Sequence, residues 1–305
     1  MTTSVLYDVP GPRSRRRIAI WSAVATVVVA GLFALVIWQL QRKGQFDAEK
    51  WEPFTDPGIQ RGLLRALAAT LRAAVFAIIL ALIWGALLCI GRLSEHRWLR
   101  YPAGLVIEFF RAVPLVLLIL FVFFGFTDWF DNLGETLEDT LPPFLANLLA
   151  VDQWGTLGPL VIALMLYNGA VLAEIFRAGI HAVPRGQAEA AYALGLRKSQ
   201  VMRLILIPQA TRIMLPAIVS QSVVVLKDTA LGYIIAYLEL VRQGQLIYNQ
   251  YRNIIPSAIV VATIYITLNV SLSRIATWLE ARQSRRYGRQ AVAAAEAAVP
   301  EGSIA

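Results

Sequence analysis

The sequence contains very few of the residues that carry redox or metal chemistry. Its 305 residues include one cysteine, Cys89, and two histidines, His96 and His181. A single cysteine forms neither an internal disulfide nor a thiolate metal cage, because both need several cysteines. The two histidines lie far apart in the sequence and belong to no HExxH pattern. We therefore predict that the chain has no metal site, no cofactor and no catalytic centre.

A phosphate-binding loop is also missing from the sequence. In ATP-binding proteins of the P-loop class the pattern GxxxxGK[ST] cradles the phosphates with backbone N–H groups. The nearest match in this chain is Lys198-Ser199, but Arg197 stands in place of the glycine. We therefore predict that this chain is not itself an ATPase.

Charged residues are scarce, at 16% of the chain, and hydrophobic residues make up 57%. An ordinary soluble domain has about 25% charged and about 45–50% apolar residues. The apolar residues are concentrated in blocks of about the twenty residues that a helix needs to cross a bilayer. This pattern predicts an all-α membrane protein with six transmembrane helices. The blocks run over about Ile18–Trp38, Leu63–Ile90, Tyr101–Phe126, Gly158–Phe176, Leu204–Leu226 and Ile254–Trp278.

The first block follows a cluster of arginines, as the apolar region of a signal peptide does. A signal peptide, however, has an apolar region of about 7–15 residues that ends in small residues. This block is longer and closes on Val36, Ile37 and Trp38. We therefore predict a cytoplasmic segment over residues 1–17 and a retained transmembrane helix over residues 18–38.

The charges between the blocks predict the orientation of the chain. Lysine and arginine are enriched in cytoplasmic loops of membrane proteins. Here they cluster after the second block, after the fourth block and in the tail, whereas the acidic segment Thr127–Leu157 has no lysine or arginine. Only the first outer loop, with Arg42, Lys43, Lys50 and Arg61, departs from this alternation. Both termini are therefore predicted to be cytoplasmic.

The net charge of +8 does not indicate nucleic-acid binding. The basic residues lie in short clusters beside the apolar blocks, and no nucleic-acid-binding motif accompanies them. Residues 281–305 are predicted to form a cytoplasmic tail, which is alanine-rich after about Tyr287 and therefore a frayed helix or a disordered terminus.

The loop over residues 179–208 is the most informative stretch of the chain. Pro184 suits the start of a helix, because its missing N–H costs nothing there. Strong helix formers follow from Gln187 to Leu194, and Gly195 stands where a left-handed residue ends many helices. A second helix is predicted from Lys198. The loop is therefore expected to be a short helix, a turn and another helix on the cytoplasmic face.

Glu189-Ala190-Ala191, Gly195 and the ending Ile205, Ile207-Pro208 resemble the EAA loop of ABC-importer permeases. The one departure is Ile207, where that family usually has leucine. The resemblance implies that Glu189, Ala190, Ala191 and Gly195 couple the chain to an ATPase, with the alanines allowing close approach and Glu189 making a polar contact. Helix-in-groove docking is a recurring mode of recognition. The alternative is an amphipathic helix that lies on the lipid.

Three further stretches resemble motifs of the polar amino-acid permeases within that family. They are Phe110-Arg111-Ala112-Val113-Pro114-Leu115, Ala173-Glu174-Ile175-Phe176-Arg177-Ala178-Gly179-Ile180 and Lys227-Asp228-Thr229-Ala230-Leu231. The resemblance covers residues 62–280 as the importer transmembrane domain and makes the first helix an addition to a five-helix core. The opening Ser4–Pro12 also resembles glutamate permeases of actinobacteria.

The resemblance implies a permease subunit in a bacterial plasma membrane that takes up a polar amino acid, with glutamate, or glutamine, as the best guess. It also implies an ATP-binding subunit dimer, a second permease subunit, identical or homologous, and an extracytoplasmic solute-binding protein as partners. The alternatives are an ion-coupled secondary transporter, a membrane enzyme and a scaffold that does not transport. Secondary transporters often show internal repeats, and enzymes need clustered acid, base or metal groups; the sequence shows neither.

Charged and polar residues inside the predicted helices are candidates for the substrate path, since they usually face the bundle interior or a water-filled cavity. Arg111 and Glu174 each have an opposite charge three residues away, Glu108 and Arg177, so local ion pairs are the alternative. Lys227 and Asp228 are predicted near the outer end of the fifth helix, which Pro208 and Pro216 should bend or interrupt. The candidates are Arg111, Asn168, Glu174, Lys227 and Asp228.

Overall fold

A computed structural model of the chain describes the backbone of residues 11–297, and within that range the side chains up to residue 274 and of Thr277. This part of the chain is helical. The helices are α1 (Pro12–Arg42), α2 (Ala48–Trp51), α3 (Pro57–Arg92), α4 (Arg97–Ala112), α5 (Leu115–Thr140), α6 (Pro143–Leu149), α7 (Trp154–His181), α8 (Arg185–Ala193), α9 (Lys198–Gln200), α10 (Ile207–Asp228), α11 (Leu240–Tyr251) and α12 (Ile254–Ala297). Short 3₁₀ turns occupy Glu52–Thr55, Val151–Gln153 and Thr229–Ile235, and a π turn occupies Val201–Leu206.

Six stretches of these helices are long and apolar enough to cross a membrane. This confirms the prediction of an all-helical protein with six candidate spans. They are Pro12–Arg42, Pro57–Arg92, Leu115–Thr140, Pro143–His181, Lys198–Ile235 and Ile254–Arg274.

The two ends of the described chain are helical for longer than expected. Helix α1 begins at Pro12, whose fixed φ suits the first turn of a helix. None of its residues, Pro12–Arg42, is buried against the rest of the chain, and the Arg42 guanidinium lies 4.6 Å from the centre of the Trp38 ring. The backbone of α12 is helical as far as Ala297, which includes part of the alanine-rich tail.

Helices α3 and α7 pack at the centre of the bundle through small residues. Ala73, Ala77 and Ala81 of α3 follow one another at four-residue spacing and are fully buried. At Gly85 an added Cβ would lie 2.8 Å from the Gly169 carbonyl oxygen of α7. Small residues let helix backbones approach closely in membranes, where lipid supplies no hydrophobic drive for association. The α3–α7 contact therefore depends on small residues at these positions.

The third apolar block is not one continuous helix, contrary to the prediction of a span over Tyr101–Phe126. Helix α4 ends at Ala112, Val113 is extended with φ −75° and ψ 129°, and α5 begins at Leu115. Pro114 explains the break, because it lacks an N–H and its ring drives the preceding residue out of the helical conformation. The candidate membrane-spanning stretch is α5. It continues to Thr140 and contains most of the acidic residues of the segment Thr127–Leu157.

The fifth span is interrupted, but not at Pro216. Pro216 lies inside α10 without ending it, whereas Pro208 stands in the first turn of α10, directly after the π turn. Pro208 has no N–H to donate to the carbonyl four residues back. The second interruption is the 3₁₀ turn Thr229–Ile235, which follows Asp228.

The segment between α10 and α11 is fixed by buried hydrogen bonds. The Tyr237 hydroxyl donates to the Ala69 carbonyl at 2.9 Å. The fully buried Glu239 carboxylate accepts the Val241 and Arg242 N–H groups at 2.8 and 2.7 Å, and the Tyr265 hydroxyl at 2.8 Å. Burial raises the pKa of the Glu239 carboxyl, although the backbone donors favour its ionised form. This segment thus joins α3, α11 and α12.

Gly85→Leu should destabilise the fold, since its side chain has to displace the α7 backbone. Overpacking of this kind costs about 1–3 kcal/mol. The matched control is Gly31→Leu in α1, where an added Cβ meets nothing within 4 Å. Thermal unfolding of the detergent-solubilised protein should show a lower midpoint for the first variant only. Equal shifts in both variants would contradict the α3–α7 assignment.

Candidate functional site

The loop between α7 and α10 has the helix–turn–helix form that the sequence predicts. Helix α8 begins directly after Pro184. Its C-terminal turn has the left-handed Gly195, with φ 78°, whose N–H donates to the Tyr192 carbonyl at 2.9 Å. The Leu196 N–H donates to the Ala191 carbonyl at 3.2 Å. These two bonds form a Schellman motif, so the predicted stop at Gly195 is confirmed.

The residues of the EAA motif face two different ways. Glu189 and Ala190 are exposed, and Leu194 is 83% exposed at the end of α8. Ala191, in contrast, is only 4% exposed, because its side of α8 lies against the π turn, where Val201 is fully buried. Ala191 therefore packs within the chain itself. This corrects the expectation that it allows close approach to a partner.

Among the described side chains, two contacts join this loop to other parts of the chain. The Gln209 amide of α10 donates to the Gln187 side chain of α8 at 3.3 Å. Lys198 of α9 forms an ion pair with Glu95 in the turn between α3 and α4. The hydrogen bond and the charge of Lys198 lower the pKa of the Glu95 carboxyl. Movement of the loop is thus connected both to α10 and to the end of α3.

A polar group lies between α7 and α10 in the interior of the bundle. Asn168, in the middle of α7, is fully buried. Its Nδ2 donates to the Leu164 carbonyl at 3.1 Å, and its Oδ1 accepts the Gln221 Nε2 at 2.6 Å. Asp228, the last residue of α10, is half-buried. Gln221 and Asp228 are seven residues apart, so they lie on one face of α10.

Lys227 and Asp228 are the last two residues of α10 and differ in exposure. Asp228 is half-buried, and the next residue, Thr229, is fully buried. Lys227 is exposed. Gln221 was not a candidate from sequence. The signal that identifies it is a polar residue in an apolar span, two helical turns before a carboxylate.

The other candidates belong to a second group, where α3, α4 and α7 meet. Glu174 forms the expected ion pair with Arg177, with N–O distances of 2.7 and 3.0 Å. Arg111 belongs to α4, which packs against both α3 and α7. Arg111 is exposed at the end of α4, one residue before the break, and not in the middle of a span.

The local pair between Glu108 and Arg111 is not among the ion pairs of the described side chains. Glu108 pairs instead with Arg92 of α3, at 3.3 Å. Arg92 crosses α4 at Gly104, where any Cβ would collide with the guanidinium. The predicted substrate residues therefore fall into two groups, with Asn168 and Asp228 in the first, Arg111 and Glu174 in the second, and Lys227 in neither.

Comparison with known proteins supports a transport role. A curated relative, the glutamate transport system permease protein GluD of Corynebacterium glutamicum, is 39% identical over 81% of this chain and 84% of its own length. The probable glutamine ABC transporter permease protein GlnP of Bacillus subtilis is 34% identical over 68% of this chain and 86% of its own length.

A solved structure has the same architecture. The crystal structure of an amino acid ABC transporter with histidines superposes with a TM-score of 0.60 at 27% identity and covers 73% of this chain and 94% of that one. Residues 73–285 match the family described as the binding-protein-dependent transport system inner membrane component. The match covers more than half of the chain and includes α8, Asn168 and Asp228. The chain therefore belongs to this family and is a multi-pass permease subunit of the inner membrane, whose ATPase lies in a partner subunit.

Proposed function

We propose that the chain is the permease subunit of an ABC importer for a polar amino acid, with glutamate as the first candidate and glutamine as the second. The observation that carries this proposal is the buried Asn168 with its hydrogen-bond partner Gln221 and the half-buried Asp228 on the same face of α10, set beside the 39% identity to a glutamate permease. Every amino acid has an ammonium group, and Asp228 is a half-buried carboxylate able to accept hydrogen bonds from it.

Both termini are placed in the cytoplasm in this proposal. The acidic residues of α5 and the segment after it then face outward, and the arginines at the adjoining ends of α3 and α4, of the loop over residues 179–208 and of the tail face inward. A binding protein docks on the outer side, and α8 meets the ATPase on the inner side. Two ATP-binding subunits and a second permease subunit, identical or homologous, complete the importer.

The coupling surface consists of the exposed part of α8. Glu189 fixes the register of the contact, Ala190 allows the ATPase to approach, and Leu194 supplies apolar area. Ala191 and Gly195 act from within, since Ala191 packs on the π turn and Gly195 closes the Schellman motif. The loop therefore moves as one rigid unit when ATP closes the two ATPase subunits, and this motion biases a two-state switch of the spans.

The substrate path runs along the α7–α10 face. Asn168 and Asp228 bind the amino acid there, at the level where α10 ends. Arg111 and Glu174 lie toward the cytoplasmic end, where the ion pairs Glu174–Arg177 and Glu108–Arg92 favour a role in holding α4 against α3 and α7. We assign no substrate contact to the exposed Lys227.

Glu189→Lys should uncouple transport from ATP hydrolysis. Reversing a charge at a docking contact costs about 2–5 kcal/mol of binding free energy. Uptake should therefore fall about tenfold or more. Uptake into proteoliposomes that contain the complete importer measures this effect. Glu49→Lys, at another exposed glutamate in α2, is the control. Normal uptake with Glu189→Lys would show that α8 is not the coupling surface.

Ala190→Leu and Ala191→Leu should fail in different ways, since one alanine is exposed and the other is buried. Ala190→Leu should leave the thermal stability unchanged but weaken association with the ATPase by about 1–3 kcal/mol through overpacking at the contact. Ala191→Leu should lower the stability of the isolated permease. The measurements are co-purification of the ATPase and the thermal unfolding midpoint. The same defect in both variants would contradict the two-sided loop.

Asp228→Asn should lower uptake by about tenfold to a hundredfold, as expected for the loss of a hydrogen bond to a charged group. The measurement is the initial rate of radiolabelled glutamate and glutamine uptake by the complete importer. Lys227→Met, next to it in sequence but exposed, should transport at nearly the normal rate. Parallel losses in the two variants would argue against a substrate role for Asp228.

A further inference from the structure

The face of α5 that packs on α7 opens into a groove partway along the helix. Leu118 and Val122 lie on this face and are buried, at 6% and 5% exposure. Gly125 follows them at helical spacing, yet it is exposed, and an added Cβ there would meet nothing within 4 Å. Since α5 is a candidate span, the groove opens where the chain crosses the membrane.

The groove is apolar along its whole length. It has a volume of about 670 Å³ and lies between α4, α5 and α7. It adjoins a second cavity of about 420 Å³ toward α3 and α6, and the two share Trp129, Phe130 and Ile162. The lining side chains carry no hydrogen-bonding group apart from the indole N–H groups of two tryptophans, so water gains little there. The groove therefore suits an apolar occupant.

The dimensions of the groove fit one acyl chain. From Leu117 to Trp129 the groove follows twelve residues of α5, which is about 18 Å at the rise of an α-helix. The hydrocarbon of one leaflet is about 15 Å thick, half of a core of about 30 Å. A helix about 10 Å across would need about 1,400 Å³ over the same 18 Å. The groove is thus as long as one leaflet and too small to enclose a helix.

One end of the groove has the character of a headgroup site. Trp129 and Trp154 stand at this end, and tryptophan is enriched at the level of the headgroups. Asp128 and Asp131 flank Trp129 in sequence, Asp152 lies two residues before Trp154, and all three are exposed. None of the three belongs to an ion pair among the described side chains. Such carboxylates attract an ammonium group and repel an anionic headgroup.

We propose that this groove binds one acyl chain of a phospholipid whose headgroup carries an amine, such as phosphatidylethanolamine. The acyl chain lies against Gly125 between α5 and α7, and the ammonium lies beside the carboxylates at the Trp129 end. The lipid then fills space between α4, α5 and α7 that the described side chains leave open. It therefore holds α5 against α7 as part of the folded structure.

The test is mass spectrometry of the lipids that stay bound to the full chain in detergent, with dioleoyl phosphatidylethanolamine and dioleoyl phosphatidylglycerol offered in equal amounts. The unchanged protein should retain the first lipid about two- to fivefold more than the second, as for an exposed ion pair. Gly125→Trp fills the groove and should lower the retention of both about fivefold or more, through overpacking. Gly31→Trp in α1, where an added Cβ also meets nothing within 4 Å, is the control and should retain both normally.

The double variant Asp128→Asn with Asp131→Asn separates the headgroup contact from the acyl-chain contact, and it does not depend on how Gly125→Trp folds. It should retain the two lipids equally. Normal retention by a folded Gly125→Trp, or an unchanged headgroup preference in the double variant, would overturn the proposal. A disulfide formed in high yield between Gly125→Cys and Gly31→Cys would also overturn it, since α1 would then cover the groove.

Discussion

The close approach of α3 and α7 is the contact on which the rest of the bundle depends. Gly85 and Gly169 meet where an added Cβ would lie within 3 Å of the other helix. This contact fixes the rotation of α7 about its own axis. Asn168, the residue before Gly169, is thereby turned toward α10, and Gly179, eleven residues on and on the same face, meets Met214 of α10. The small residues that pack α3 against α7 thus also aim Asn168 toward α10.

At breaks in the spans the protein itself has to supply hydrogen-bond partners, because lipid offers none for a free N–H or carbonyl group. The chain leaves α10 at Asp228 and turns within the bundle. There, Tyr237, Glu239 and Thr70 provide hydrogen bonds that water provides elsewhere. Among these residues Glu239 has the highest free-energy cost of burial, since a buried carboxylate is costly unless it is fully hydrogen-bonded. Its three donors come from α11 and α12, and so they fix the segment that follows α10 against these two helices.

The sequence predicts the features that depend on neighbouring residues and misses those that depend on distant ones. Six apolar stretches and the turn at Gly195 follow from hydropathy and from local backbone preference, and both predictions are confirmed. The break at Pro114 was missed although its signal is local, because the apolar block continues across it. Helical spacing suggested an ion pair between Glu108 and Arg111. Glu108 pairs with Arg92 of α3 instead, because Gly104 has no side chain to block the Arg92 guanidinium. The hydrogen bond of Gln221 depends on Asn168 of α7, more than fifty residues away.

Helix α10 connects the coupling loop to the proposed substrate residues. Its 22 residues span about 33 Å at the rise of an α-helix. One end follows the π turn, which packs on α8, and the other end carries Asp228. Helix α8 ends in a Schellman motif and is hydrogen-bonded to α10 through Gln187 and Gln209. A displacement of α8 should therefore be transmitted to α10 with little deformation of the loop. The π turn is the irregular element in this connection, and such turns occur often at functional sites. A tilt of α10 about that turn would move Asp228 relative to Asn168, which α3 holds in place through Gly169. We propose that the motion started by the ATPase opens and closes the substrate site in this way.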